Sequence, residues 1–173
     1  MWNKRLATVL TIGVMAATGS LAWSDEDETA AVAKYLPAAK VTLQQGLTAA
    51  ESHGKPISGK YEVEDGHFQL SVYTAKEGKF FEVIVDHMTG TIAKVEPITE
   101  GEDLTHAKSQ KAAMDRAKVK LADAATKAKS QAKGEAADVV VVSVVPELKD
   151  NRPEAAIVLL QGKKFSTASE RLD

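Results

Sequence analysis

Residues 80–95, FFEVIVDHMTGTIAKV, constrain the fold of this chain more than any other stretch. Side chains alternate across a β-strand, so Phe81, Val83 and Val85 share one face while Phe80, Glu82, Ile84 and Asp86 share the other. The first face is wholly apolar and predicts a strand lying on a core. Asp86 can accept hydrogen bonds from backbone N–H groups two or three residues on, and Thr89-Gly90 supplies a small residue followed by one free to take positive φ. The stretch therefore predicts a hairpin whose turn, Asp86 to Gly90, is structural.

The chain opens with Lys4 and Arg5, then an uncharged and mostly apolar run over residues 6–22, then small residues before Ser24. Those three regions predict a secretory signal peptide over 1–24. Thr8, Thr11, Gly13, Thr18, Gly19 and Ser20 dilute the run as a retained membrane anchor, so no membrane span is expected after cleavage. The expected destination is the periplasm or the exterior. Of 22 basic residues, Lys4 and Arg5 lie in this leader, which leaves 20 against 24 acidic ones, a formal charge of −4. That balance argues against nucleic acid as a partner. No cysteine occurs, so disulfides and thiol chemistry are excluded and stability must come from packing.

An acidic segment, 25–36, ends at Pro37, which cannot continue a helix. Thr42 and Gln45 form a Thr-x-x-Gln capping box ahead of Leu43, Leu47 and Ala50, and Gly54 followed by Lys55-Pro56 ends that helix. Gly46 inside it costs about 1 kcal/mol relative to Ala. Strands are predicted over 57–64 and from Phe68 through Val72, joined at Asp65-Gly66, with a second turn at Gly78 before the organising hairpin. A further helix is predicted over 106–133, where Met114, Ala117, Leu121, Ala125, Ala128 and Ala132 form one stripe, Asp123 and Lys127 stand four apart, and Gly134 is the expected cap. This helix carries eight Lys or Arg residues, which suit a solvated face or a basic rod for an anionic surface polymer. The run VVVVSVV, residues 139–145, is apolar on both faces and should be a central, covered strand. Later strands are joined at Gln161-Gly162.

Helix followed by meander thus occurs twice, over 37–99 and 105–173. The expected fold class is α+β, two tandem helix-plus-antiparallel-meander units packed together through their remaining apolar faces. A unit near 60 residues buries too little surface to be robust alone.

An exported helix-plus-meander unit carrying GKFFEVIVDHMTGTIAKV resembles the PepSY family. The match falls on Val83, Val85, Asp86, Thr89, Gly90 and Ile92, and the second half resembles the same unit loosely. The resemblance implies an α+β domain used outside the cytoplasm and concerned with restraining or modulating peptidases. It supplies no catalytic residues. No His-Glu-x-x-His, Gly-x-Ser-x-Gly, phosphate loop or Gly-x-Gly-x-x-Gly is present, so neither an enzyme nor a cofactor is expected. His67 and His87, with Asp65 and Asp86, stand in turns without metal-ligand spacing, and no metal is expected. The expected function is a PepSY-like binding module for a protein or peptide, a peptidase among the candidates, with a homodimer also open. The alternative is an envelope sensor or carrier of a small ligand or anionic polymer.

Overall fold

The computed structural model describes residues 26–132 and 138–173; the expected signal peptide and the Gly134 cap lie outside the described residues. Helix α1 (Glu26–Tyr35) gives way to a 3-10 turn at Leu36–Ala38, where Pro37 stops it. Helix α2 (Leu43–Ala50) follows, with the Thr42 and Gln45 capping box formed in both directions. Four strands come next: β1 (Lys55–Glu64), β2 (His67–Lys76), β3 (Lys79–Val85) and β4 (Ile92–Ile98). Then α3 (Gly101–Met114) and α4 (Leu121–Gln131) precede β5 (Val139–Lys149), β6 (Arg152–Gln161) and β7 (Lys164–Arg171). Strands β1 and β2 turn through Asp65-Gly66 and β5 and β6 through Asp150-Asn151, all four residues at positive φ. Such two-residue turns match the twist of the strands they join.

All seven strands form one antiparallel sheet in the order β4-β3-β2-β1-β5-β6-β7. This corrects the expectation of two helix-plus-meander units packed together. The halves meet edge to edge, Gly59 pairing with Val144 and Lys60 with Ser143, so they share a backbone ladder in place of an interface between layers. The physical reason lies in how the faces are covered. Gly46 of α2 lies over Leu70, and Gly59 lies under Leu43 and Leu47, which puts α2 on the face holding Gly59, Tyr61, Leu70 and Val72. Helix α4 packs beside α2 and sends Lys127 to Glu170 of β7. Helix α3 takes the opposite face, where Gln110 accepts a hydrogen bond from Ser58 and Asp103 accepts one from Tyr73. With helices on both sides, the two-sided apolar strand β5 is covered without a second sheet. Val139, Val141, Val142 and Val144 are buried, and β5 is central, between β1 and β6.

The expected single helix over 106–133 is also corrected. It divides at Met114, and residues 115–120 are irregular. The backbone N–H groups of Lys118 and Val119 both donate to the Leu172 carbonyl, at 2.6 and 3.0 Å, and so leave the helical ladder. Arg116 reaches away to the Asn151 carbonyl and side chain, while Lys55 Nζ caps the freed Met114 carbonyl at 2.6 Å. A cation at a helix C-terminus also complements its dipole. Met114, Leu121, Ala125 and Ala128 are still buried, but from two helices. Nor does a continuous basic rod exist: Lys111 pairs with Asp115, Lys120 with Glu51 and Lys127 with Glu170, where Asp123 was the expected partner. The β6–β7 turn is Gly162-Lys163, one residue later than expected.

Gly46 shows why the helix lies so close. A Cβ there would stand 2.3 Å from Leu70 Cδ2 and 3.0 Å from its Cγ. Helix propensity alone favours Gly46→Ala by about 1 kcal/mol. Overpacking of this kind costs about 1–3 kcal/mol. Gly46→Ala is therefore expected to lower stability in urea unfolding; a clear gain would mean that α2 does not rest on Leu70.

Candidate functional site

The expected motif residues form one end of the sheet. Val83 and Val85 are fully buried. Asp86 Oδ1 accepts the N–H groups of Met88 and Thr89, both at 2.8 Å, and the Asp86 carbonyl accepts the Gly90 N–H. The N–H groups of Thr89 and then Met88 hold the Asp86 carboxyl below its ordinary range. The turn in turn holds the chain before α2, because the His87 carbonyl accepts the N–H groups of both Lys40 and Val41. The Val41 carbonyl accepts the Tyr61 hydroxyl. Aromatic rings close this corner: Phe68 stacks on Tyr61 with centroids 5.6 Å apart and meets the His87 ring edge-on at 4.9 Å. The paired donation of Lys118 and Val119 to Leu172 repeats, ahead of α4, what Lys40 and Val41 do ahead of α2. Asp86 and Gly90 thus work as a clamp on α2.

A second cluster, which the sequence reading missed, sits on the face opposite α2. Lys60, Glu62 and Glu64 alternate along β1, Gln69 and Ser71 along β2, and Glu82 lies on β3. One carboxylate oxygen from each of Glu62, Glu64 and Glu82 lies within 4.8 Å of the others. Lys60 Nζ contacts Glu62 at 2.5 Å, Gln69 Nε2 donates to Glu64 at 2.8 Å and to Glu62 at 3.3 Å, and the Ser71 hydroxyl donates to Glu82 at 2.6 Å. Burial pushes the Glu82 carboxyl up to about 7; the Ser71 hydrogen bond opposes this, and the charges of Glu62 and Glu64 reinforce it. Burial opposes charge on Lys60, yet the Glu62 carboxylate, helped by Glu82 and Glu28, keeps its ammonium above the ordinary lysine value. In donor chemistry the three carboxylates are hard oxygen ligands. Lys60 already stands among them and would repel a divalent cation; with a proton on Glu82, its ammonium offsets one of the two remaining carboxylates. Neither His67, which is exposed, nor His87 belongs to this group.

Among the described residues, the outermost strands of the sheet are β4 and β7. A two-residue loop closes on a hydrogen-bonded pair. Lys79, paired with Lys76, therefore turns its backbone to β2, and the alternation carried through β3 leaves Val95 and Pro97 facing outward on β4. Pro97 has no N–H, and Lys94 stands on the same strand, two features that discourage edge pairing. By the same logic Lys164, paired with Gln161, turns its backbone to β6, and Phe165, Thr167, Ser169 and Arg171 face outward. Residues 165–169 of this edge, FSTAS, contain neither proline nor charge.

Among the described residues, these surfaces define an open antiparallel α+β sheet with helices on both faces and β4 and β7 as its outermost strands. No protein-family model matches the chain, and no curated protein or solved structure is detectably similar to it. Among the described residues, no helix is long and apolar enough to cross a membrane.

The carboxylate cluster carries a signature in pH. Because the folded chain raises the Glu82 pKa from 4.5 to about 7, it holds a proton over that window which the unfolded chain releases. The corresponding stability is fully present below about 4.5 and is lost as pH rises through about 7. Glu82→Gln keeps an acceptor for Ser71 and removes the titration. The melting temperature of the parent chain is expected to fall from pH 5 to pH 8 more steeply than that of Glu82→Gln; parallel curves would show that Glu82 does not hold the proton.

Proposed function

We propose that the chain is an exported, non-enzymatic PepSY-like binding module that takes hold of a polypeptide by strand addition along β7, with extracytoplasmic peptidases the partner class to which the resemblance points. The single observation carrying this reading is the contrast between the two edges. An added strand gains affinity from main-chain hydrogen bonds and specificity from alternate side chains. On β7, Thr167 and Ser169 offer both an N–H and a carbonyl outward, with small side chains that leave a second backbone room to approach. On β4, Pro97 interrupts the donor row. Support for the family assignment comes from Val83, Val85, Asp86, Thr89 and Gly90, and support for export from the pattern of residues 1–24.

Hydrogen-exchange mass spectrometry on the mature chain, alone and mixed with a purified secreted metallopeptidase from its own envelope, tests the reading. Residues 164–171 are expected to gain protection while β4 does not. Binding that leaves 164–171 unchanged, or no binding to any such peptidase, would contradict strand addition at β7.

A further inference from the structure

We propose that β4 is a proton-controlled flap: it lies against β3 while the Glu82 carboxyl is neutral and lifts away once Glu82 loses its proton, uncovering the outer backbone of β3. This device is independent of β7.

Strand register makes Glu82 the point where like charges converge. Its partners across the two ladders are Tyr73 on β2 and Glu96 on β4. From the other side Glu62 and Glu64 of β1 reach across β2, so that an oxygen of each lies within 4.8 Å of one on Glu82. Lys60 contacts Glu62, while Lys94 contacts Glu96 at 2.7 Å and also feels Glu82 and Glu64. Ionised Glu82 thus makes four carboxylates against these two ammoniums. Tyr73 brings a further acid to this face by donating its hydroxyl to Asp103 of α3, and Glu28 of α1 acts on Lys60. The neutral donors Gln69 and Ser71 are already committed to Glu62, Glu64 and Glu82. Like charges directly opposite on neighbouring strands destabilise the pairing, and a carboxylate crowded by others keeps its proton to a higher pH. Strand β4 is the element that can yield. Val83 and Val85 are fully buried and hold β3 in the core, and β1 and β2 have neighbours on both sides. Strand β4 is outermost, with Lys94, Glu96 and Pro97 exposed. Lifting it carries Glu96 away from Glu82 and lets water reach the Glu82 carboxylate.

The sign follows from the proton. With β4 in place Glu82 titrates at about 7, chiefly through burial, and once freed it returns toward 4.5. The closed form therefore holds an extra proton between those values, so opening becomes easier as pH rises through the window and levels off above it. Amide exchange followed by NMR and divided by intrinsic rates measures that opening. The amides of Ile84, Lys94 and Glu96 lie in the β3–β4 ladder, whereas Val83 turns its backbone to β2. Those three amides are expected to exchange through an opening cheaper than that of Val83, and its equilibrium constant is expected to rise about tenfold from pH 5.5 to pH 8. In Glu82→Gln the constant is expected to stay flat. Glu96→Gln keeps Glu82 and removes the charge opposite it, and its opening at pH 8 is expected to be about threefold less favourable than in the parent. An opening that does not change with pH in the parent, one that rises equally in Glu82→Gln, or β4 amides that exchange only together with Val83 would overturn the proposal. Equal opening of Glu96→Gln and the parent at pH 8 would overturn it as well, whether or not Glu82→Gln folds.

Discussion

The pairing of β1 with β5 is the constraint on which the rest depends. It involves two registered pairs, Gly59 with Val144 and Lys60 with Ser143, yet it converts two meanders into one sheet. Gly59 meets two demands at once. It sits in the ladder, and a Cβ there would stand 3.0 Å from Leu47 Cδ2 and 3.5 Å from Leu43 Cδ1, so its bareness lets α2 descend over the junction. Helix α2 then reaches β5 as well as β1, and α4 reaches β1 as well as β5. Each helix straddles the seam. A half of this size buries too little apolar surface to be secure alone, and the seam is what makes its core continuous with that of the other.

The carbonyls of His87 and Leu172 anchor the helices to this sheet. Each accepts two consecutive N–H groups from the segment entering a helix, which fixes where α2 and α4 begin. Leu172 is fully buried, and its own N–H donates to the Pro153 carbonyl. The ends of the sheet therefore set the helix positions, the helices cover one face, and α3 covers part of the other. The carboxylate cluster on that second face, with Lys60 at its centre, is poised in charge near neutral pH. Among the described residues, β7 is the outermost strand on the α4 side of the sheet.

Local structure was legible wherever a local chemical rule decided it. The Thr42 and Gln45 box, the Asp65-Gly66 turn, the stop at Pro37 and the Asp86 turn are each set by residues within a few positions of one another, and each forms as read. Features decided at a distance were not. No residue near Gly59 marks Val144 as its neighbour. The stripe from Met114 to Ala132 contains no breaker, and the groups that interrupt it, the Leu172 carbonyl, Asn151 and Lys55, are remote in sequence. Gly46 reads as a weak point in a helix until Leu70 is placed beneath it. The carboxylate cluster had a signal that went unused, since Lys60, Glu62 and Glu64 share a face by alternation and Glu82 breaks an otherwise apolar strand. The status of β7 as an edge depends on strand order, which the sequence does not carry.

The central claim is that one sheet runs through the seam, and amide hydrogen exchange at Gly59 and Val144, followed residue by residue by NMR under native conditions, tests it most directly. Odd-numbered residues of β1 turn their backbone toward β5, so Gly59 and Val144 exchange hydrogen bonds with each other. Both amides are expected to exchange only through global unfolding, with the same free energy as Val72 and Ile157 in the adjoining strands. Exchange at Gly59 and Val144 through a much cheaper local opening, while those neighbours stay protected, would show two separable halves and contradict the account.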